Sequence, residues 1–185
     1  MYKRQAAAPF RTARGIALVY TGRYDEAETE FEAAIEALSS ADDAAALTMS
    51  LAGLGMARQH REDHRGALDA YAAALEAARR GGDLRAEATI TMNIATAHHA
   101  ANNWNEAKRH YNRALVLARQ VGASADEVRI LSNLGNLLLT MGDPEGALGL
   151  IELALKGAKR LGLEAYRAYA HLLRGDVLKL SLIHI

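Results

Sequence analysis

Seven histidines are the residues of this sequence best suited to metal binding or acid–base chemistry. His60 and His64 are four residues apart, a spacing that places two imidazoles on one face of a continuous helix. The intervening Arg61-Glu62-Asp63 predicts a turn, so we expect these histidines on separate helices and in solvent. His98 and His99 are adjacent, about 100° apart around a helix, so one is expected to pack and the other to lie on the surface. The histidine pattern therefore predicts no metal site.

No other catalytic or nucleotide-binding motif is complete. Gly53-Leu54-Gly55 lacks the third glycine of a dinucleotide fingerprint, and the sequence contains no Walker-type Gly-Lys-Ser/Thr. The chain has no cysteine, which excludes thiolate metal sites and a cysteine nucleophile. Carboxylates between Asp25 and Glu32 cluster near the start of a predicted helix, where they complement its dipole on a solvated face. The sequence predicts a protein that is not an enzyme and needs no cofactor or metal.

The charge balance restricts the partners. Lys plus Arg number 22 and Asp plus Glu number 22, so no net charge attracts nucleic acid or an anionic membrane. No apolar run is long enough to span a bilayer, and the lack of cysteine fits a reducing cytoplasm. Abundant alanine and an excess of arginine over lysine favour a bacterial source. We expect a cytoplasmic protein with no nucleic-acid or membrane partner.

The elements that position these residues follow a repeat of 40 residues. A small residue opens the pattern at Gly15, Gly55, Ala95, Gly135 and Gly175. Large side chains recur at Phe31, Tyr71, Tyr111 and Ile151, flanked by alanines at 27, 67, 107 and 147 and at 34, 74, 114 and 154. Because these positions share helical spacing, the large side chains are expected to be buried and the alanines to lie at close helix contacts.

Turn residues divide each unit into two helices. The turns within hairpins are Thr21-Gly22-Arg23, Arg61-Glu62-Asp63, Ala101-Asn102-Asn103 and Met141-Gly142-Asp143; those between hairpins are Ser39-Ser40-Ala41-Asp42, Gly81-Gly82-Asp83, Gly122-Ala123-Ser124 and Gly162. Asp42, Asp83 and Ser124 are expected to cap the following helices, and Pro144 suits a first helical turn. First helices are predicted near 9–20, 43–60, 84–100, 125–140 and 164–179, and second helices near 24–39, 64–80, 104–120 and 144–160. The predicted class is all-α.

The order of small residue, short turn, alanine, large residue and alanine resembles the tetratricopeptide repeat. The period differs, because it is 40 residues rather than the roughly 34 usual for that family. A longer repeat of this kind is similar to those of kinesin light chains, Rap-type bacterial quorum-sensing regulators and the sensor regions of bacterial transcriptional activators. The resemblance implies a right-handed α-solenoid of about four and a half repeats that binds a protein or peptide in a concave groove.

The same resemblance assigns the groove to particular positions of the first helices. Those positions include Gln59, Met56, Met92, Asn93, His99, Arg129, Asn133 and Asn136. An asparagine amide both donates and accepts hydrogen bonds and so suits the backbone of an extended peptide, while Arg129 suits a carboxylate. The alternative is that the asparagines bond to neighbouring repeats, and the sequence does not distinguish the two.

Both ends of the sequence have a pattern unrelated to the repeat. DNA encoding Leu180-Ser181-Leu182-Ile183-His184-Ile185 can have a reverse complement that encodes Met1-Tyr2-Lys3-Arg4-Gln5 from a GTG start codon. This inverted pair resembles a transposon end used in sequencing-library preparation, so residues 1–5 and 180–185 are predicted to be adapter-derived. The repeat domain is then 6–179, with units near 6–41, 42–81, 82–121, 122–161 and a partial 162–179.

Two functions are consistent with this organisation. The first is a scaffold that binds an extended peptide or a protein partner. In that case the sequence is expected to be a metagenomic fragment of a larger bacterial protein. The alternative is the ligand-sensing or autoinhibitory arm of a bacterial signalling or transcriptional regulator. The sequence does not specify the oligomeric state.

Overall fold

The computed structural model describes residues 2–38 and 43–183, and in these ranges the chain forms nine α-helices and no strand. The helices are α1 (Tyr2–Tyr20), α2 (Tyr24–Leu38), α3 (Ala44–His60), α4 (His64–Arg80), α5 (Leu84–Ala100), α6 (Trp104–Gln120), α7 (Ser124–Thr140), α8 (Pro144–Leu161) and α9 (Glu164–Ile183). The predicted connection Ser39-Ser40-Ala41-Asp42 and residues 1, 184 and 185 of the predicted adapter segments lie outside the described residues. None of the described helices is both long and apolar enough to cross a membrane.

The predicted all-α repeat architecture is confirmed. The helices form antiparallel hairpins, α1 with α2, α3 with α4, α5 with α6 and α7 with α8, and α9 packs on α8 and α7. Each first helix also packs against the first helix of the next unit, whereas no two of the described second helices pack against one another. The first helices α1, α3, α5, α7 and α9 therefore form a continuous layer. Because the second helices are further apart than the first helices, the stack curves with the first helices on its concave side. We call this layer the inner face.

The first helix is longer than the sequence predicts. It begins at Tyr2 rather than near residue 9, and Pro9 lies inside it. Proline lacks one backbone N–H and is tolerated near a helix start, which is why the sequence favoured a boundary there. The alanines that precede Pro9 have the highest helix propensity of any residue and extend the helix in the N-terminal direction.

The predicted core is confirmed. Phe31, Tyr71, Tyr111 and Ile151 are at most 1% exposed, and the alanines at 27, 67, 107 and 147 are 0% exposed. Glycine allows the close approach of the hairpin helices, because a Cβ atom on Gly55 would lie 2.5 Å from the Tyr71 ring. Each 40-residue period of the sequence therefore corresponds to one packed helical hairpin of the solenoid.

The acidic residues of α2 are ion-paired between helices rather than only solvated. Glu28 accepts hydrogen bonds from Arg58 (2.7 Å) and from Arg61, both outside its own hairpin. Glu30 accepts one from Arg14 at 3.0 Å on α1. Side chains of Glu28 and Glu30 are only 16% and 12% exposed. The prediction of a wholly solvated face is thus wrong for these two carboxylates, because the neighbouring helices supply arginines that cover them.

Aspartates cap four of the described helices. The side chains of Asp43, Asp63, Asp83 and Asp143 each accept a hydrogen bond from the backbone N–H three residues on. The predicted cap Asp83 and the predicted first-turn Pro144 are confirmed. Ser124 is not a cap, because α7 begins at Ser124 itself and Ala123 occupies the N-cap position without a side-chain hydrogen bond. The predicted cap Asp42 lies outside the described residues.

Replacing Glu62 by glycine is expected to stabilise the protein. Glu62 has a φ of 63°, and the equivalent residues Gly22 and Gly142 have φ of 75° and 79°. A side chain in this left-handed region costs about 1–2 kcal/mol, so its removal outweighs the extra flexibility of glycine in the unfolded chain. We expect the free energy of unfolding, measured by urea denaturation, to rise by about 0.5–1 kcal/mol. Gly142→Ala is the matched control and is expected to change stability in the opposite direction, so a loss for Glu62→Gly would contradict the argument.

Candidate functional site

Three adjacent first helices carry every predicted groove residue. Met56 and Gln59 lie on α3, and Met92, Asn93 and His99 on α5; the rest, Arg129, Asn133 and Asn136, lie on α7. Since α3 packs on α5 and α5 on α7, the inner face brings these helices side by side. The central part of the solenoid is therefore the region that holds the candidate site.

The three asparagines are half-buried on the inner helices. Asn93 and Asn133 occupy equivalent repeat positions on α5 and α7, and Asn136 lies close to one turn further along α7. Within the described part of the chain, their side-chain amides form no hydrogen bond. Among the described residues, these amides therefore form no hydrogen bond to a neighbouring repeat, which was the alternative role. Each amide retains its donors and its acceptor for a ligand or for water.

Arg129 is partly satisfied by its own helix. Its Nη2 donates to Asp126 Oδ1 at 2.8 Å, and its side chain is 31% exposed. Its Nε is buried and has no hydrogen-bond partner among the described residues. A buried donor without an acceptor is costly, so a movement of this side chain that brings the guanidinium to an acceptor would be favourable.

Gln59 has an internal role that the sequence analysis missed. The Tyr71 hydroxyl donates to Gln59 Oε1 at 3.1 Å, and burial raises the pKa of Tyr71. In the next hairpin, the Tyr111 hydroxyl and Thr96 Oγ1 are 3.1 Å apart, and burial raises the pKa of Tyr111 to about 12. A buried tyrosine hydroxyl needs such a partner. The acceptor of Gln59 is therefore engaged within its own hairpin, and only its NH₂ is left for a ligand.

The methionines and His99 differ in accessibility. Met92 is 4% exposed and packs in the core cluster around Tyr111, so its side chain is buried beneath the inner face. Met56 is half-buried between the clusters around Phe31 and Tyr71. His99 is half-buried on α5, and burial lowers its pKa, so the imidazole is neutral near pH 7. Met56 and His99 are thus the more accessible of the three.

The structure has a cleft near the start of α3 and α5 that was not predicted from the sequence. Its volume is about 640 Å³, and Met49, which is 55% exposed, lies on its wall. Met49 and Ala52 line it from α3, and Thr89 lines it from α5. Many of the other lining residues have small side chains that leave this space open, among them Ala44, Ala45, Ala77, Ala78, Gly81 and Ala86. The runs of adjacent alanines were the signal in the sequence.

The histidines at the second hairpin turn are structural. His60 is exposed and stacks on Tyr24, with ring centroids 4.9 Å apart and planes 5° apart. His64 begins α4 and is half-buried. Their separation by the turn confirms that they do not share one helix face.

The architecture identifies the class. A family model described as tetratricopeptide repeat matches residues 7–80 and 86–160, which together are most of the chain. The chain belongs to the tetratricopeptide repeat family. Stacked repeats of this type present extended surfaces to other proteins, so the chain is a protein-interaction scaffold by class. No curated protein sequence matches it.

Solved structures share the fold at low sequence identity. The apo form of RapI is 15% identical with a TM-score of 0.87, over 94% of this chain and 63% of that one. Aspartyl phosphate phosphatase F from Bacillus subtilis is 12% identical with a TM-score of 0.89, over 95% and 46%. The Rap conjugation gene regulator of the plasmid pLS20, in complex with the Phr* peptide, is 14% identical with a TM-score of 0.70, over 95% and 53%. The chain thus spans about half to two thirds of the length of these proteins.

Proposed function

We propose that the inner face of α3, α5 and α7 binds an extended peptide segment of a partner protein. The observation that carries the proposal is the set of half-buried amides on Asn93, Asn133 and Asn136, which have no hydrogen bond to the described residues. An extended peptide offers one N–H and one C=O per residue, and side-chain amides can bond to both. The peptide backbone is therefore held independently of its sequence.

Sequence preference comes from the neighbouring features. The cleft of about 640 Å³ beside Met49 is of the size of a small-ligand pocket and suits an apolar side chain, with the flexible methionine adapting to its shape. The guanidinium of Arg129 lies on α7, in a side chain that is 31% exposed, and suits a carboxylate or carbonyl oxygen. We therefore propose a peptide with an apolar residue toward α3 and an acidic residue or C-terminus toward α7.

A regulatory role is the second candidate. One structurally similar protein is described as a gene regulator in complex with a peptide, and its fold is shared over 95% of this chain. The same inner face would then hold a signal peptide or an autoinhibitory segment instead of a constitutive partner. In both roles we propose binding without catalysis.

The expected effect of removing the amides tests the proposal. A displayed library of random ten-residue peptides is panned on the whole chain, and one selected peptide is labelled for fluorescence anisotropy. Asn93→Ala and Asn133→Ala are each expected to weaken its binding by about 1–3 kcal/mol, the value of a lost hydrogen bond in a desolvated site. Thermal stability is expected to change little, because these amides bond to nothing within the described residues.

Asn112→Ala is the matched control, because Asn112 is an exposed asparagine on the second helix α6. It is expected to leave binding unchanged. If Asn93→Ala and Asn133→Ala lower the melting temperature and spare binding, the asparagines serve packing and the proposal is wrong. It is also wrong if no library peptide binds the inner face.

A further inference from the structure

The third hairpin brings two histidines and a carboxylate together outside the inner-face site. His98 lies on α5, and Glu106 and His110 lie on α6. One potential ligand atom from each residue lies within 4.8 Å of the other two. The two imidazoles are stacked, with centroids 5.5 Å apart and planes 18° apart, and His110 Nε2 is 3.9 Å from Glu106 Oε2. His98 thus faces the second helix of its own hairpin.

The cluster is not repeated in the fourth unit. The equivalent positions of the fourth unit are Leu138, Gly146 and Leu150, and they hold no polar side chain. Leu138 is 6% exposed, and Leu150 packs against the core cluster. An apolar contact therefore satisfies the fold at this place, and two imidazoles with a carboxylate are not required for packing.

His98, one of the three clustered residues, has an unsatisfied polar atom. Its Nδ1 is buried and has no hydrogen-bond partner among the described residues. A neutral imidazole is the form that coordinates a metal. In one neutral tautomer this nitrogen carries a lone pair that a metal ion or a donor would satisfy, and in the other it carries a proton and lacks an acceptor.

We propose that His98, Glu106 and His110 bind a zinc ion between α5 and α6. Two histidines and one glutamate form a zinc ligand set that leaves a fourth position for water. A tetrahedral ion with ligands near 2.0–2.1 Å separates its donor atoms by about 3.3 Å. The three donor atoms, now within 4.8 Å of one another, therefore approach by at most about 1.5 Å on binding. Glu106, half-exposed at 50%, has the freedom to rotate inward.

Arg109 competes with the metal at this site. It donates to Glu106 Oε2 from Nε (3.0 Å) and from Nη2 (2.6 Å), and its Nη2 lies 3.0 Å from His110 Nε2. The guanidinium occupies the carboxylate and repels a cation, although its side chain is 65% exposed and free to leave. Zinc therefore has to displace Arg109, and removal of the guanidinium is expected to tighten binding.

Zinc titration of the metal-free whole chain by isothermal calorimetry tests the site. We expect one equivalent of Zn²⁺ to bind and to raise the melting temperature, because a ligand of the folded state stabilises it. Arg109→Gln is expected to tighten Zn²⁺ binding about tenfold or more. His98→Leu combined with His110→Leu is expected to abolish stoichiometric binding while keeping the helical circular dichroism, because leucine occupies both equivalent positions in the fourth unit.

His99→Ala is the matched control, because His99 is adjacent in sequence and is not part of the cluster. It is expected to leave the zinc affinity unchanged. The proposal is overturned if neither the native chain nor Arg109→Gln binds Zn²⁺, or if the double leucine variant still binds one equivalent. It is also overturned if His99→Ala weakens binding as much as the double leucine variant does.

Discussion

Replacing Phe31 by alanine is expected to lower the free energy of unfolding by about 3–5 kcal/mol. The ring is 0% exposed, and it fills the space left by two glycines on different helices: a Cβ on Gly15 would lie 2.7 Å from it and one on Gly53 2.4 Å. Truncation removes this apolar contact and leaves a cavity between α1, α2 and α3, which cannot close fully because the glycines have no side chain to move. Urea denaturation followed by circular dichroism measures the loss.

The second phenylalanine provides the control. Phe10 lies on α1 and is 72% exposed, so Phe10→Ala is expected to change the free energy of unfolding by no more than about 0.5 kcal/mol. The two variants lose the same atoms and differ only in burial. Equal effects would mean that the packing of the first hairpin is not as described.

Gly53→Ala is expected to destabilise the protein by about 1–3 kcal/mol, although alanine is the better helix former. Gly53 lies within α3, and a Cβ there would be 2.4 Å from two atoms of the Phe31 ring, closer than real Cβ contacts allow. The ring is itself enclosed, so the clash is relieved only by shifting α3 away from α2. The same urea experiment measures the change.

Gly149→Ala is the matched control for this second substitution. Gly149 is also inside a helix, but a Cβ there would meet nothing within 4 Å. The gain in helix propensity then acts alone, and we expect stabilisation by about 0.5–1 kcal/mol. Combining Gly53→Ala with Phe31→Leu is expected to cost less than the sum of the single changes, because the smaller side chain makes room. A stabilising Gly53→Ala would refute the close contact.

The helices could be predicted closely because each boundary is marked in the sequence. Glycine, asparagine or aspartate occurs at each turn, and the period places the same signal 40 residues on. The start of α1 could not be predicted, since Pro9 resembles a helix start and only the preceding alanines indicate otherwise. The cap before α7 was also missed by one residue, because a serine near a boundary does not identify which residue is the cap.

The candidate site could be predicted in position and only partly in chemistry. The repeat register assigns Asn93 and Asn133 to equivalent places on neighbouring helices. It does not reveal which side chains already have internal partners, and so it missed that Gln59 accepts from Tyr71 and that Met92 is buried. The pairing of His98 with His110 depends on the rotation of two helices about their axes, although comparison with the leucines of the next unit could have indicated it.

The neighbour-to-neighbour packing of the helices also determines how the chain folds in time. No described helix packs against one more than two elements away, so contacts join segments that are close along the sequence. Proteins with such low contact order need to close only short loops before their contacts form. They therefore fold on microsecond to millisecond timescales. Any hairpin can serve as the nucleus, and structure then spreads to its neighbours. A core substitution such as Phe31→Ala should therefore speed local opening of the first hairpin while the distant hairpins keep their own folding rates.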